Sequence, residues 1–237
     1  MFLSFIDLLV VSWFFFLWIG YSIFSRKKDK KGETLAIQLY RYRKEWAKNV
    51  VRSKTTRIHD AAILQSLSGM ANFLATTCIF TIAGLIAVAS KVNVISEVLE
   101  NYPIVYPTSS GEIMLKILFL CLIFMAAFFR LTWAIRQFSI CAIMLGAAPF
   151  ANSDDLDENQ KAYAKQMAKI NDIAGHDFNY GLRSFYYGFA VLFWFVHPLA
   201  FAFASLVVTL ELYHQDFRSN VSSFLVRGLF WDNKKNN

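Results

Sequence analysis

Charge is scarce in this 237-residue chain: Asp, Glu, Lys and Arg together make up 17% of it. Soluble domains carry about 25%. So low a charged fraction, beside a large apolar one, excludes a disordered chain and an ordinary cytosolic enzyme. Cysteine is scarcer still. Cys78, Cys121 and Cys141 each sit in an apolar run, without a C-x-x-C or a partner at ligand spacing. A disulfide framework is therefore excluded, and the three read as small buried side chains. Catalytic signatures are missing too. The chain has no P-loop, H-E-x-x-H, G-x-S-x-G or dinucleotide fingerprint, and nothing resembling a paired-carboxylate hydrolase. What is present is apolar. Hydrophobic residues make up 56%, aromatic residues 17%, and Phe alone contributes 24. Mean hydropathy is +0.39. This composition is that of a multi-span membrane protein.

Four long apolar runs stand out, at about 2–24, 66–90, 113–146 and 185–210, where a span needs about 20 residues. The first lacks a basic leader and a small-residue cleavage site, so it reads as a span and not a signal peptide. The net charge of +7 would point to nucleic acid in a soluble protein. Its distribution points elsewhere. Of the 24 basic residues, 16 fall in the segments 25–65 and 149–184, and 5 fall in the other loop and the C-terminal tail. Basic residues stay on the cytoplasmic side. Both segments are therefore expected inside, with both termini outside, and nucleic acid is not an expected partner. The same residues suit anionic lipid headgroups.

The third run is too long for a membrane. From Ile113 to Ala148 it would measure about 54 Å as one helix, against a hydrocarbon core of about 30 Å. Pro149 should end it, because proline disfavours helical geometry in the residue before it. Both inner segments read as amphipathic helices: the first lies at the membrane interface or packs on the protein itself, and the second lies along the inner membrane surface. Leu35, Leu39, Tyr42, Trp46 and Val50 mark the apolar side of the first. In the second, Asp155 and Glu158 fit a capping box, Tyr163, Met167, Ile170 and Ala174 form a stripe, and Gly175 is a plausible stop. The expected fold class is all-α: an integral membrane four-helix bundle with amphipathic inner-face helices, forming one domain over 1–237.

Polar groups inside spans are costly, so each is a candidate site. Asp7 and Lys116 fall near the outer face, the first expected to be solvated and the second to snorkel, with an Asp7–Lys116 pair as an alternative. Arg130 and Arg136 fall at the inner edge of the third span. Beside them come Arg57, His59 and Asp60 before the second span, and His176, Asp177, Asn179 and Arg183 before the fourth. Together Arg57, Asp60, Arg130, Arg136, His176, Asp177, Asn179 and Arg183 could build an inner-side ionic cluster, structural or ion-binding. Ser68, Asn72 and Thr76 repeat every four residues along the second span, either packing helices or lining a water-filled path. His197-Pro198 interrupts the fourth. Pro198 has no N–H for the carbonyl of Trp194, so a kink is expected there, and His197 is an intramembrane histidine with either a local or a proton-relaying role. No metal or cofactor is expected.

Several stretches together resemble a family. They are Arg57-Ile-His-Asp60; Phe73-Leu-Ala-Thr-Thr-Cys-Ile-Phe80; Ala127-Phe-Phe-Arg-Leu-Thr-Trp-Ala-Ile-Arg-Gln-Phe138; Gly146-Ala-Ala-Pro149; Ala174-Gly-His-Asp-Phe-Asn-Tyr-Gly-Leu-Arg183 with Tyr186-Tyr187; and Phe217-Arg-Ser219. The chain is similar to a mainly bacterial family of multi-pass membrane proteins known only as a domain of unknown function. The resemblance covers nearly the whole chain. It implies four spans, no known activity, and inner-face Arg, His and Asn residues that belong to the family pattern. From residues and resemblance together, the expected protein is non-enzymatic, homo-oligomeric and located in a bacterial inner membrane. It would act as a channel or carrier for an ion or small anion. The alternative is a non-transporting scaffold or accessory subunit of a larger membrane complex.

Overall fold

A computed structural model describes residues 4–30, 35–53, 56–100, 106–151, 155–218 and 225. Every regular element among them is helical: α1 (Phe5–Lys30), α2 (Leu35–Arg52), α3 (Ile58–Ala89), α4 (Val92–Glu100), α5 (Ser110–Ala147), α6 (Glu158–Leu192) and α7 (Pro198–Tyr213). A 3-10 turn, Phe193–Phe195, separates α6 from α7, and a π-turn, His214–Arg218, follows α7. The all-α expectation is met. Asp154, just before the capping-box candidate, and the basic tail residues Arg227, Lys234 and Lys235 lie outside the described residues.

Among the described residues, three helices are long and apolar enough to cross a membrane: Phe5–Lys28, Ile58–Ala89 and Ser110–Ala147. They mark the chain as membrane-associated. The overlong third run is a single helix of 38 residues, about 57 Å. It ends two residues before Pro149, as proline's effect on its predecessor requires. The second run starts earlier than its apolar stretch. Its helix takes in His59 and Asp60, which form its first turn.

The fourth run departs most from a simple span. Its first part belongs to α6, which runs without a break from Glu158 through the polar segment and into apolar sequence. Gly175 does not stop the helix. A Cβ there would strike the guanidinium of Arg43, so the missing side chain serves a close approach and not a terminus. The capping box also lies two residues further on. Asp157 N–H donates to Gln160 Oε1 at 3.1 Å, and Gln160 N–H donates to Asp157 Oδ1 at 2.7 Å. That pair satisfies two backbone donors reciprocally at the start of α6, which Asp155 with Glu158 would not. The helix then gives way at Phe193–Phe195, where Pro198 supplies no N–H. His197, in extended conformation, caps the new helix by accepting from Leu199 N–H at its own Nδ1, 3.1 Å away.

The chain divides into two compact units. One comprises Met1–Lys27, Ala75–Phe129 and Gly181–Gln215. Its centre is aromatic. Phe14 is fully buried and meets Phe119, Tyr187, Phe201 and Trp18, with ring centroids 5.2–5.7 Å apart. Lipid tails are as apolar as these rings, so the gain comes from close packing, about 1 kcal/mol per well-oriented pair. The other unit comprises Lys28–Leu74, Arg130–Tyr180 and Asp216–Asn237. Its core joins Ala47, Val50 and Val51 of α2 to Leu64 of α3, Phe138 and Cys141 of α5, and Met167 of α6. The amphipathic α2 is therefore packed on its own protein. Its innermost residues are Gln38, Ala47, Val50 and Val51. Leu39, Tyr42 and Trp46 are only partly buried, so the packed face is rotated from the aromatic stripe. Cys78, Cys121 and Cys141 are all free thiols, two of them buried.

Candidate functional site

In the second unit, α6 presents three ionisable side chains within two turns: Asp172, His176 and Asp177. The four-residue spacing puts Asp172 and His176 on one face, and Asp177 lies about 100° further round the helix. Asp177 is 8% exposed, and burying a carboxylate requires partners. It has two, both from α5. Arg130 NH1 donates to Oδ1 at 3.1 Å and Gln137 Nε2 donates to Oδ2 at 2.8 Å. Arg130 and Gln137 are seven residues apart, two turns of one helix, and so reach the carboxylate from above and below. The Arg130 side chain remains 52% exposed, with its guanidinium 5.6 Å from the Tyr180 ring centroid. Gln137 Oε1 is buried and has no hydrogen-bond partner among the described residues.

A second ionic contact lies one turn earlier. Arg43 of α2 binds Asp172 Oδ1 at 2.6 Å, and His176 Nε2 stands 3.6 Å from Asp172 Oδ2. Gly175 makes room for the Arg43 guanidinium against α6. Nearby, buried Asn171 Nδ2 lies 3.8 Å from Cys141 Sγ.

The remaining candidates take separate places. Arg57 is a helix cap. Its NH1 donates to the carbonyls of Leu145 (3.0 Å) and Ala148 (2.7 Å), and its NH2 donates to that of Pro149 (3.2 Å). The last carbonyls of a helix have no partner within it and carry partial negative charge, so a planar cation is well suited to them. Phe150 lies beneath it, its ring centroid 4.2 Å away. Asp60 accepts from Trp46 Nε1 at 2.7 Å. Arg136 is exposed and lies over the Trp133 ring at 5.2 Å. Asn179 is half-buried. Arg183 belongs to the first unit, where it donates to Ser25 Oγ at 3.1 Å and lies over Tyr21. In the second unit the structure thus brings Arg130 and Asp177 together, and gives Arg57, Asp60 and His176 partners of their own. Arg43, Asp172 and Gln137 were the residues sequence reasoning underweighted. Gln137 shares a face with Arg130, and Asp172 lies one turn from His176, so both signals were present. Arg43 looked like one more basic residue on a basic helix.

The path-lining candidates fall on the exposed side of α3. Ser68 and Asn72 border a groove of about 380 Å³ that also includes Gln65, Gly69 and Ser139. Ser68 is half-buried, and Asn72 and Thr76, one turn on, are exposed.

In the first unit, Asp7 and Lys116 are neither solvated nor snorkelling. They are 2% and 1% exposed. Both bind the same residue: Trp194 Nε1 donates to Asp7 Oδ1 at 2.7 Å, and Lys116 Nζ donates to the Trp194 carbonyl at 3.1 Å. The reason is Pro198. It leaves that carbonyl without a helical donor, and the ammonium supplies one. His197, four residues past Phe193, keeps its own backbone bond (3.1 Å to Phe193 O). Among the described residues no group of three or more His, Cys, Asp or Glu side chains is placed to hold a metal.

A family model described as "Protein of unknown function, DUF599" matches residues 9–221. No curated protein and no solved structure matches the chain.

Proposed function

The chain belongs to the DUF599 family of proteins of unknown function, and on that premise we propose that it is a non-enzymatic, homo-oligomeric membrane protein that passes an ion or small anion. The reading places four spans in a bacterial inner membrane, with both termini outside the cytoplasm and anionic headgroups against the basic inner segments. One observation carries it. Arg130 is held by buried Asp177 through a single nitrogen, while the side chain stays half exposed. A guanidinium has five N–H donors in a fixed fork. The donors not facing Asp177 are available to an anion, and Asp177 keeps the charge in place between visits. Arg136 adds a second exposed cation about 1.7 turns further along α5. Arg57 caps the end of the helix that carries these two.

The test is anion flux in proteoliposomes. Arg130→Gln should cut flux at least ten-fold while the protein elutes as the wild type does, and Arg130→Lys should recover part of it. Absence of flux in the wild-type protein across halides, nitrate and phosphate overturns the reading. A second reading, a scaffold or accessory subunit of a larger membrane complex, is favoured by how many of the candidate charges are spent on internal contacts, Arg57 above all. It calls for a stoichiometric partner in a mild-detergent pull-down.

A further inference from the structure

Gln65, Ser68 and Asn72 lie on one face of α3 and form no hydrogen bond with any described residue. Asn72 lies near the middle of its helix, about 21 Å from Ile58 and about 26 Å from Ala89 at 1.5 Å per residue. Its side chain is exposed. At that depth lipid offers no donor or acceptor, and an unsatisfied amide in hydrocarbon is costly. Something polar therefore covers this face.

We infer that the cover is the same face of a second copy of the chain, so that α3 and the inner half of α5 form the subunit interface. Three observations select this occupant. Carboxamides carry both donors and acceptors, so Asn72 and Gln65 satisfy their own counterparts when two identical faces meet about a symmetry axis. The face carries no charge, so like meets like without repulsion. It also has room: nothing stands within 4 Å of a Cβ built on Gly69, and the groove of about 380 Å³ continues beside it to Ser139 and Ala142. Small surfaces let backbones approach, and polar side chains then bond across them. The inference rests on the homo-oligomeric part of the proposed function and is independent of transport.

Disulfide trapping in native membranes tests it with the full chain. Asn72→Cys should give a crosslink of twice the monomer mass under mild oxidation. Met70→Cys should not, because Met70 is 55% exposed but two residues away, about 200° around the helix. Wild type, with Cys78, Cys121 and Cys141 in place, sets the background. In detergent, Asn72→Leu should weaken self-association about five-fold, and Asn72→Gln should retain it. Absence of the Asn72→Cys crosslink, equal crosslinking at position 70, or trapping only to a chain of different mass overturns the inference. A crosslink without flux removes transport and leaves the interface standing. Flux without a crosslink removes only the interface.

Discussion

Removing the Arg57 guanidinium should loosen the C-terminal end of α5. Three carbonyls there, those of Leu145, Ala148 and Pro149, accept from it at 2.7–3.2 Å. A hydrogen bond to a charged group contributes about 1.5–3 kcal/mol. The contacts to Leu145 and Ala148 are partly buried and that to Pro149 is exposed, so only the first two should count fully. Against them stands Arg57 Nε, buried without a partner, which costs about 1 kcal/mol. Arg57→Met, which keeps the aliphatic stem over Phe150, should therefore lose about 3 kcal/mol, or about 150-fold in the ratio of folded to unfolded protein. Arg57→Lys should recover about half. A lysine keeps the charge at the helix end but not the fork, and it has no counterpart of the unpaired Nε. The assay is equilibrium unfolding in mixed micelles, paired with hydrogen exchange of the last turn of α5, where opening should become easier in both variants. A loss below about 0.5 kcal/mol for Arg57→Met, or full recovery by lysine, would refute the capping argument.

Gly175→Ala should reveal its role through a change of sign. In wild type the added methyl displaces Arg43 from Asp172 and should destabilise. In an Arg43→Ala background the same change should stabilise by up to about 1 kcal/mol, the helix preference of alanine over glycine, as a double-mutant cycle in thermal unfolding would measure. Lys116→Met should cost about 2 kcal/mol in unfolding stability, because it leaves the Trp194 carbonyl without its donor; an unchanged midpoint would refute the contact. His197→Ala should cost about 1 kcal/mol through the lost cap on α7, seen as faster hydrogen exchange at Leu199.

The long third helix was legible to within three residues, because an apolar run closed by Pro149 has few other solutions. The break before Pro198 was legible for the same reason. The start of α6 was not, since Asp155 and Asp157 both precede helical sequence and only the partner decides between them. Gly175 carries the composition of a helix stop, yet its neighbour Arg43 comes from a different helix. Asp7 and Lys116 looked interfacial because the residue that buries them, Trp194, lies 187 and 78 positions away. Local pattern settled what depended on adjacent residues. Where a charge found its partner across the chain, pattern could only name candidates.

The contact between Lys116 and the Trp194 carbonyl reaches into inheritance. The ammonium answers a vacancy that Pro198 creates, so neither residue makes sense alone. A relative with another residue at the position of Pro198 would have its own backbone N–H for that carbonyl, and its counterpart of Lys116 would be free to drift to an apolar side chain. A relative that kept the proline but lost the lysine would need a different donor within reach. The two positions, 82 apart in sequence, should therefore change together across the family, and a Pro198→Ala chain should tolerate Lys116→Met far better than the parent does.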